Sequence, residues 1–431
     1  MMPGPANQTP SPTVGRRARR LLAALILLWL VMLAPAANAA EPLRIGFSMS
    51  LTGGLAVGGR PALLAMEIWR DDVNAHGGLL GRPVEFVYYD DQSDPPTVPG
   101  IYAKLLDVDK VDLVISGYGT NMVAPLMPTA IQRGLLLLGL LSSASNEEFH
   151  YPNYFSMQVL GPQPKVELSK GFFEIAMAQE PRPRSVAIVA ADAELAHRAA
   201  ESARENAKAA GLKIAYDRTY PPNTVEFAPI LRAVQAAKPD IVYVASYPSD
   251  SASIVRAAHE IGLKARQFGG TMVGLQATPL RMQLGPLLNG VVTHDYWVPQ
   301  PAMMFPGIAA FLAKYQARAT AAGVDALGYY IPPLAYARMQ VLAQAVEATG
   351  SLDQGKLAAY LHANVAHTIA GDIKFGPDGE WAEPRFLFVQ FQGVEGHDLE
   401  QFRKPETYVV LYPDAYKSAG RFIPYDQLQR H

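Results

Sequence analysis

The stretch GLLLLGLLSSASN, Gly134–Asn146, is an apolar strand that ends in a cluster of hydroxyl and amide side chains. A short apolar run without polar alternation is typical of a parallel sheet that is covered on both faces. A helical pattern, MVAPLMPTAIQRG, precedes the strand and ends at Gly134. The stretch therefore indicates a βαβ unit. It leaves open whether the hydroxyls only turn the chain or hold a ligand.

The same alternation of strands and helices extends towards the N-terminus. Pro42–Ser50 and Arg82–Asp91 have the pattern of strands. Between them, Thr52–Gly59 forms a glycine-rich loop, and Pro61 is predicted to be the first residue of a helix, a position that suits proline. Alternating strands and helices with short connections predict a parallel sheet with helices on both of its faces.

The alternation restarts after Gly161 and continues to about Asp295, which indicates a second lobe of the same architecture. Beyond Asp295 helical patterns dominate. Two strands, at 371–380 and 385–393, are then expected to pair with each other near the end of the chain. The fold class predicted from the pattern is α/β with parallel sheets.

Residues 1–39 have the pattern of a secretory signal peptide. Four arginines between positions 16 and 20 precede the apolar run Leu21–Leu33, and Ala37–Ala39 fits a cleavage site. A membrane anchor is the alternative, but the apolar run is short for a membrane span. The paired arginines match a twin-arginine export signal only loosely, so the general export route is favoured. Cleavage would remove four arginines and no acid, which takes the formal net charge from -2 to -6.

The chain contains no cysteine, which excludes disulfides, thiolate metal sites, cysteine nucleophiles and a lipid-modified N-terminal cysteine. We therefore expect an exported periplasmic protein that is not lipid-anchored. No basic patch points to nucleic acid as a partner.

Four loops rich in small polar residues follow predicted strands, at the edge of the sheets where open α/β folds bind ligands. Free backbone N–H groups in such loops suit a carboxylate or another polar group. Small polar residues also serve as turns and helix caps, so each loop alone is weak evidence for a binding site. The loops are Thr52–Gly59, Gly117–Asn121, Ser142–Asn146 and Ser246–Asp250.

Signatures of catalysis and of cofactor binding are missing from the sequence. It contains no phosphate-binding P-loop, no complete GxGxxG, no HExxH and no GxSxG. His197 and His259 are expected on helix surfaces and His294 near the junction of the lobes, each as a solvated or capping residue. We therefore predict that the protein is not an enzyme and that it has no catalytic residue, no metal site and no cofactor.

Four separate motifs resemble the periplasmic solute-binding proteins of the leucine/isoleucine/valine-binding type, and the resemblance extends from about Glu41 to Gly393. The motifs are IGFSMSLTGGLAVGG, NAHGGLLGRPVEFVYYDDQSDP, AKPDIVYVASYPSDSASIVRAAHEIGLKA and AGDIKFGPDGE.

The resemblance implies the type I periplasmic binding protein fold, in which two Rossmann-like parallel-sheet lobes are joined by three crossovers and close around a ligand. Lobe one would comprise 40–161 and 295–370, and lobe two 162–294 and 371–431.

The resemblance also implies a set of ligand-binding positions. The hydroxyl that holds a ligand carboxylate in the family falls on Thr120, and the next loop of the same anchor falls on Leu141, Ser142 and Ser143. A tyrosine that forms a wall of the family's cleft matches Tyr247.

Three positions depart from the family pattern. Two other family tyrosines fall on Gly58 and Leu195, which suggests a roomier and more apolar pocket. The family carboxylate that holds an amino group falls on Thr271 or Met272. A buried ammonium without a partner is costly, so we expect a ligand other than an α-amino acid, such as an aromatic carboxylate.

Two acids elsewhere, Asp192 or Glu194, could still supply a partner for an amino group, and Asp295–Trp297 could add an aromatic wall or form a packing cluster at the hinge. The predicted function is the monomeric substrate-binding component of an ABC importer, with the membrane permease as partner. The alternatives are a branched-chain amino acid binding protein, a periplasmic sensing subunit, and an exported hydrolase.

Overall fold

The computed structural model describes residues 1–5, 40–222 and 224–429. All but the first five residues of the predicted signal peptide, 1–39, lie outside the described residues. No helix in the described ranges has the length and apolar character to cross a membrane. The fold described below begins at Pro42, where the larger of the two compact units of the chain begins.

Lobe one is built on short parallel strands near the N-terminus. Strands β2, β1 and β3 form one parallel sheet in that order, and β4 and β5 form a parallel pair. A bridge between Tyr118 and Leu140 links the chain after β3 to β4. The elements are β1 (Leu43–Met49), α1 (Ala56–Ala75), β2 (Val84–Asp90), α2 (Val98–Asp107), β3 (Leu113–Val114), α3 (Thr120–Val123), α4 (Met127–Arg133), β4 (Leu137–Leu140) and β5 (Tyr154–Met157).

Lobe two is built on a seven-stranded sheet in the order β14-β13-β10-β9-β8-β6-β7, in which β6 to β10 are parallel and β13 and β14 antiparallel. Its elements are α5 (Pro164–Met177), β6 (Ser185–Ala191), α6 (Glu194–Ala209), β7 (Lys213–Tyr220), α7 (Ala228–Ala236), β8 (Ile241–Ser246), α8 (Pro248–Glu260), β9 (Gln267–Met272), α9 (Thr278–Leu284), β10 (Val291–Asp295), β13 (Leu387–Phe391), β14 (Tyr408–Tyr412) and α13 (Tyr425–Leu428).

Between β10 and β13 the chain returns to lobe one, where two long helices pack on α1 and a β-hairpin follows. The predicted boundary between 370 and 371 falls inside this hairpin, and the chain rejoins the seven-stranded sheet at β13. The predicted limits of the lobes stay a prediction. The returning elements are α10 (Ile308–Ala322), α11 (Pro332–Thr349), α12 (Gln354–Ala363), β11 (Val365–Thr368) and β12 (Gly371–Lys374).

Two expectations about elements are wrong. Helix α1 begins at Ala56, within the expected glycine-rich loop, so Pro61 lies inside the helix. A Cβ on Gly59 would lie 2.1 Å from the carbonyl oxygen of Ser50, so glycine lets the first turn press against the end of β1. The two terminal strands do not pair with each other, because β12 pairs with β11 and β13 pairs with β10 and β14.

The guanidinium of Arg338, on α11, is fully buried in lobe one. It donates to the carbonyl oxygen of Ser116 at 2.8 Å and contacts the Ser116 hydroxyl oxygen at 3.3 Å. That hydroxyl oxygen also accepts from the backbone N–H of Leu140. Burial lowers the pKa of Arg338 to about 9, so the side chain remains a cation at neutral pH. One buried charge thus joins α11 to the ends of β3 and β4.

Replacing Arg338 with lysine should lower the free energy of unfolding by about 2–3 kcal/mol. An ammonium keeps the charge buried but lacks the planar set of donors, so at least one buried acceptor loses its partner. Urea unfolding measures the change. The matched control is Arg318→Lys on α10, where the exposed pair with Asp71 can persist and the expected change is below about 0.5 kcal/mol. Equal effects of the two substitutions would contradict the role given to Arg338.

Candidate functional site

A cavity lies between the two lobes at the ends of the parallel strands. It contains about 340 Å³ of space, its open mouth included. Its wall is formed by Leu55, Tyr118, Gly119, Thr120, Asn121, Leu141, Leu195, Tyr247, Val273, Tyr296 and Tyr330.

Three of the four predicted loops contribute to the wall of this cavity, and the third loop begins directly behind it. Leu55 comes from the first loop, Thr120 from the second and Tyr247 from the fourth. Leu141 is the residue directly before the third loop. Its φ of 51° turns the chain away from the axis of β4 as the strand ends. The sheet edges therefore bring together segments that lie far apart in the sequence.

The wall of the cavity, as far as the structure describes it, contains no acidic and no basic side chain. Its polar groups are the tyrosine hydroxyls, Thr120, Asn121 and the backbone of Gly119. The remaining wall is aliphatic, from Leu55, Leu141, Leu195 and Val273. Such a site can hold an apolar body and hydrogen-bond a polar end, but it offers no full charge to neutralise a buried ammonium.

Tyrosines form the aromatic part of the wall. The rings of Tyr296 and Tyr330 are stacked, with centroids 5.2 Å apart and planes 9° from parallel. Burial raises the pKa of Tyr247 and of Tyr296 to about 12, and it raises the pKa of Tyr118 further. The hydroxyls therefore remain protonated at neutral pH and can donate hydrogen bonds to an anion.

One side chain of lobe one, Asn121, connects the two lobes beside the cavity. Its Oδ1 accepts a hydrogen bond from the hydroxyl of Tyr247 at 3.0 Å and a longer one from the backbone N–H of Leu195 at 3.3 Å. Nearby, Arg198 on α6 donates to the carbonyl oxygen of Ala144 at 3.0 Å. These bonds hold α6 and the start of α8 against lobe one.

Four of the residues predicted for the site, Thr120, Leu141, Leu195 and Tyr247, lie together in the wall of this cavity. Ser142 and Ser143 are buried directly behind the wall and do not line it. Their interactions are internal. The hydroxyl of Ser142 contacts that of Ser145, and the backbone N–H of Ser143 donates to Thr120 Oγ1 at 3.0 Å.

The expected extra space beside Gly58 is occupied, so the expectation of a roomier pocket there is wrong. A Cβ on Gly58 would lie 2.6 Å from Ile331 Cδ1 and 2.7 Å from Tyr118 Cε1. The ring of Tyr118, from the loop after β3, fills the place that a side chain at position 58 would take. Leu195, in contrast, does present an aliphatic side chain to the cavity.

Thr271 and Met272 do not reach the cavity. Thr271 is bonded within lobe two, to the hydroxyl of Tyr243 and the carbonyl oxygen of Leu168, and Met272 is fully buried in the core. The first residue of this segment in the wall is Val273. The two acids considered as alternatives already have partners, Asp192 the ring of His197 and Glu194 the guanidinium of Arg198, each at 2.7 Å.

The sequence interpretation missed several residues of the wall. Asn121 lies in a predicted loop and Tyr296 in the segment considered as a possible aromatic wall, so both had a signal. Tyr118 also lies in a predicted loop, but its role depends on the space left by Gly58. Tyr330 had no local signal, because the chain brings it back to the cavity from beyond β10.

His294 lies behind the aromatic wall and is buried, so the expectation that it is solvated or a cap is wrong. Its ring stacks on Phe386, with centroids 5.2 Å apart, and touches the edge of Tyr296. Burial lowers the pKa of His294 to about 3. The ring is therefore a neutral part of the packing at neutral pH. The predictions for His197 and His259 are consistent with their exposed positions.

Comparisons with known proteins agree with this geometry. The sequence model of the family described as periplasmic binding protein matches residues 42–396. A leucine-, isoleucine-, valine-, threonine-, and alanine-binding protein of Pseudomonas aeruginosa is 24% identical over 370 residues, which are 85% of this chain and 93% of the relative.

Among solved structures, a branched-chain amino acid transporter substrate binding protein from Streptococcus pneumoniae, in complex with isoleucine, has a TM-score of 0.70 at 18% identity. The match covers 86% of this chain and 100% of that one. An ABC transporter solute binding protein from R. palustris, in complex with 4-hydroxybenzoate, has the same score and identity and covers 83% and 94%. These likenesses confirm the predicted fold class.

Replacing Tyr247 with phenylalanine should favour separation of the lobes, since it removes the hydroxyl that donates to Asn121. Loss of one such bond, about 1 kcal/mol, shifts the balance between closed and open forms about fivefold. Small-angle X-ray scattering without ligand should show a larger radius of gyration. Tyr216→Phe on β7 is the matched control, and it should leave the scattering unchanged. A Tyr247→Phe profile identical to wild type would contradict this role.

Replacing His294 with glutamine should remove a pH dependence of stability. Between the ordinary pKa of histidine, 6.5, and the folded value of about 3, the unfolded chain binds a proton that the folded chain does not. The free energy of unfolding of the wild type should therefore fall with decreasing pH, by up to about 1.4 kcal/mol per unit, relative to the variant. Urea unfolding at several pH values between about 5 and 7.5 tests this. A constant difference between the two proteins would contradict it.

Proposed function

Because this chain belongs to the periplasmic binding protein family, we propose that the cavity between its lobes captures a small carboxylate with an apolar, aromatic body. The observation that carries the proposal is the wall itself, which offers tyrosine rings, aliphatic side chains and hydroxyl donors but no acidic side chain for an ammonium. The captured ligand would pass to the membrane permease of an ABC importer.

The carboxylate would be held by hydroxyl and backbone donors. Thr120 begins α3 and lies beside Asn121 and the hydroxyls of Tyr118 and Tyr330 in the wall. Hydrogen bonds to an anion are stronger than those between neutral groups, so several such donors can replace a buried counter-charge. The flat body of the ligand would lie against the stacked rings of Tyr296 and Tyr330.

An α-amino acid would place a charged amino group in the same space. The acids nearest in sequence to Leu195 are engaged with His197 and Arg198, and the positions expected to carry the family carboxylate, Thr271 and Met272, lie outside the wall. The solved relative with 4-hydroxybenzoate and a second from R. palustris with benzoate support the aromatic class. The relative from P. aeruginosa supports the alternative of aliphatic amino acids.

Catalysis is not part of the proposal. Ser142 and Ser143 lie behind the wall, and their hydroxyls, within the described part of the chain, bond to Ser145 and Gln158 rather than to a histidine. A periplasmic sensor would use the same cavity, and the closed lobes would then present their surface to a receptor instead of a permease.

Calorimetric titration should show binding of benzoate, 4-hydroxybenzoate or a phenylpropanoid acid at least about 100-fold tighter than leucine, isoleucine or valine. This ratio corresponds to about 2.7 kcal/mol, within the cost of burying a charged group without a partner. The protein is first partly unfolded and refolded to remove ligand carried through purification. Heat from the branched-chain amino acids alone would overturn the proposal and favour the amino acid alternative.

The isosteric variant Thr120→Val should weaken binding of the aromatic acid about tenfold, because it removes one hydroxyl from the carboxylate site. Thr320→Val, on the exposed face of α10, is the control and should bind as the wild type does. Unchanged affinity in Thr120→Val would place the carboxylate elsewhere. Recovery of chemically altered ligand after incubation would favour the hydrolase.

A further inference from the structure

A second, larger cavity lies on the other side of the serine-rich segment, and four of its eleven wall residues are acids. It contains about 830 Å³ of space, its open mouth included. Four parts of the chain form it, which are the segment after β4, the segment that begins α5, helix α6 and the turn after β12. Its wall consists of Asn146, Glu147, His150, Pro162, Gln163, Pro164, Lys165, Val166, Glu205, Asp378 and Glu380.

The charges in this wall do not balance. Glu147 is paired with Lys165 at 3.1 Å, and Asp378 lies 3.9 Å from the ring of His150. Among the described residues, Glu205, exposed on α6, has no ion-pair partner, and neither has Glu380. Two of the four acids in the wall are therefore unpaired within the described part of the chain.

Glu380 points most directly to a missing ligand. Its side chain is 95% buried, since only 5% of its surface is exposed, and its Oε2 has no hydrogen-bond partner. The buried hydroxyl of Tyr154 close by also lacks a partner. The pKa of Glu380 is raised to about 8, chiefly by burial, with smaller contributions from a hydrogen bond of Ser156, which lowers it, and from Asp378 and Glu147, which raise it. At neutral pH the group is therefore largely protonated, and a cation bound beside it would favour its carboxylate form.

We propose that this cavity binds a small organic ammonium ion, whose N–H groups donate to Glu380 and whose carbon chain lies against Pro162, Pro164 and Val166. A primary ammonium supplies both the positive charge and the donors that Glu380 lacks. A multivalent metal ion fits less well, because the described residues contain no group of three or more His, Cys, Asp or Glu side chains placed to hold one.

This site is independent of the proposed aromatic ligand, because the two cavities share no wall residue. The segment Leu141–Asn146 separates them, with Leu141 in the wall of the first and Asn146 in the wall of the second. Lys165 and Glu205 belong to lobe two and Asp378 and Glu380 to the part packed on β5, so both lobes contribute to the second cavity.

The test is calorimetric titration of the purified protein with butylammonium chloride, with tetramethylammonium chloride as a cation of similar charge that has no N–H donors. We expect butylammonium to bind with an affinity in the millimolar range or tighter and tetramethylammonium at least tenfold more weakly. Absence of binding by butylammonium, or equal binding of the two cations, would overturn the proposal.

Glu380→Gln keeps the shape of the side chain and removes the charge, and it should weaken butylammonium at least tenfold. Glu205→Gln, at the exposed rim, should weaken binding of butylammonium about threefold. Because Glu205 is exposed, this variant tests the site even if Glu380→Gln does not fold. Glu260→Gln, exposed at the end of α8 and outside the cavity, is the matched control and should bind as wild type. Unchanged affinity in Glu380→Gln, with a circular dichroism spectrum like that of the wild type, would overturn the proposal. Binding of aromatic acids should be the same in all these proteins.

Discussion

The guanidinium of Arg338 connects the long helix α11 to the carbonyl and hydroxyl of Ser116, and the segment that follows Ser116 carries Tyr118, Thr120 and Asn121 into the cavity. Strand β3 has only two residues, so the sheet itself contributes few hydrogen bonds at this point. A charged donor in a buried site makes strong bonds and is costly to displace. The position of the loop Gly117–Asn121 in lobe one therefore depends on a helix that lies more than 200 residues later in the sequence.

Hydroxyl groups in the serine-rich segment organise the backbone between the two cavities. The backbone N–H of Ser143 donates to Thr120 Oγ1, and the hydroxyl of Ser143 accepts from Gln158. The hydroxyl of Ser156 donates to the carbonyl oxygen of Ser142. The segment thus fixes Thr120 from behind, and its hydroxyls are used within the protein. Its two ends face contrasting surroundings, an uncharged wall at Leu141 and an acidic one at Asn146.

Local patterns predicted the elements whose partners are close in the sequence. The strand β1, predicted at Pro42–Ser50, and the strand β2, predicted at Arg82–Asp91, are found at Leu43–Met49 and Val84–Asp90, because their apolar and β-branched residues signal a strand locally. Local patterns do not predict which strands pair when the partner strand is distant in the sequence. Strand β12 pairs with β11, and β13 pairs with β10. The same limit applies to the cavity. The loops were identified from strand ends, whereas Tyr330 and the filling of the space at Gly58 depend on tertiary packing.

The contact between Gly58 and Tyr118 has a consequence for how the cavity can change during evolution. The aromatic ring that the family resemblance places at position 58 is absent, and a ring from position 118 fills the space that a side chain there would need. A larger residue at position 58 would clash with the side chains of Tyr118 and Ile331 as they stand. A chain of this fold that carries a large side chain at position 58 should therefore have smaller residues at 118 and 331, so that the segment which supplies the bulk of this wall can change while the space stays filled.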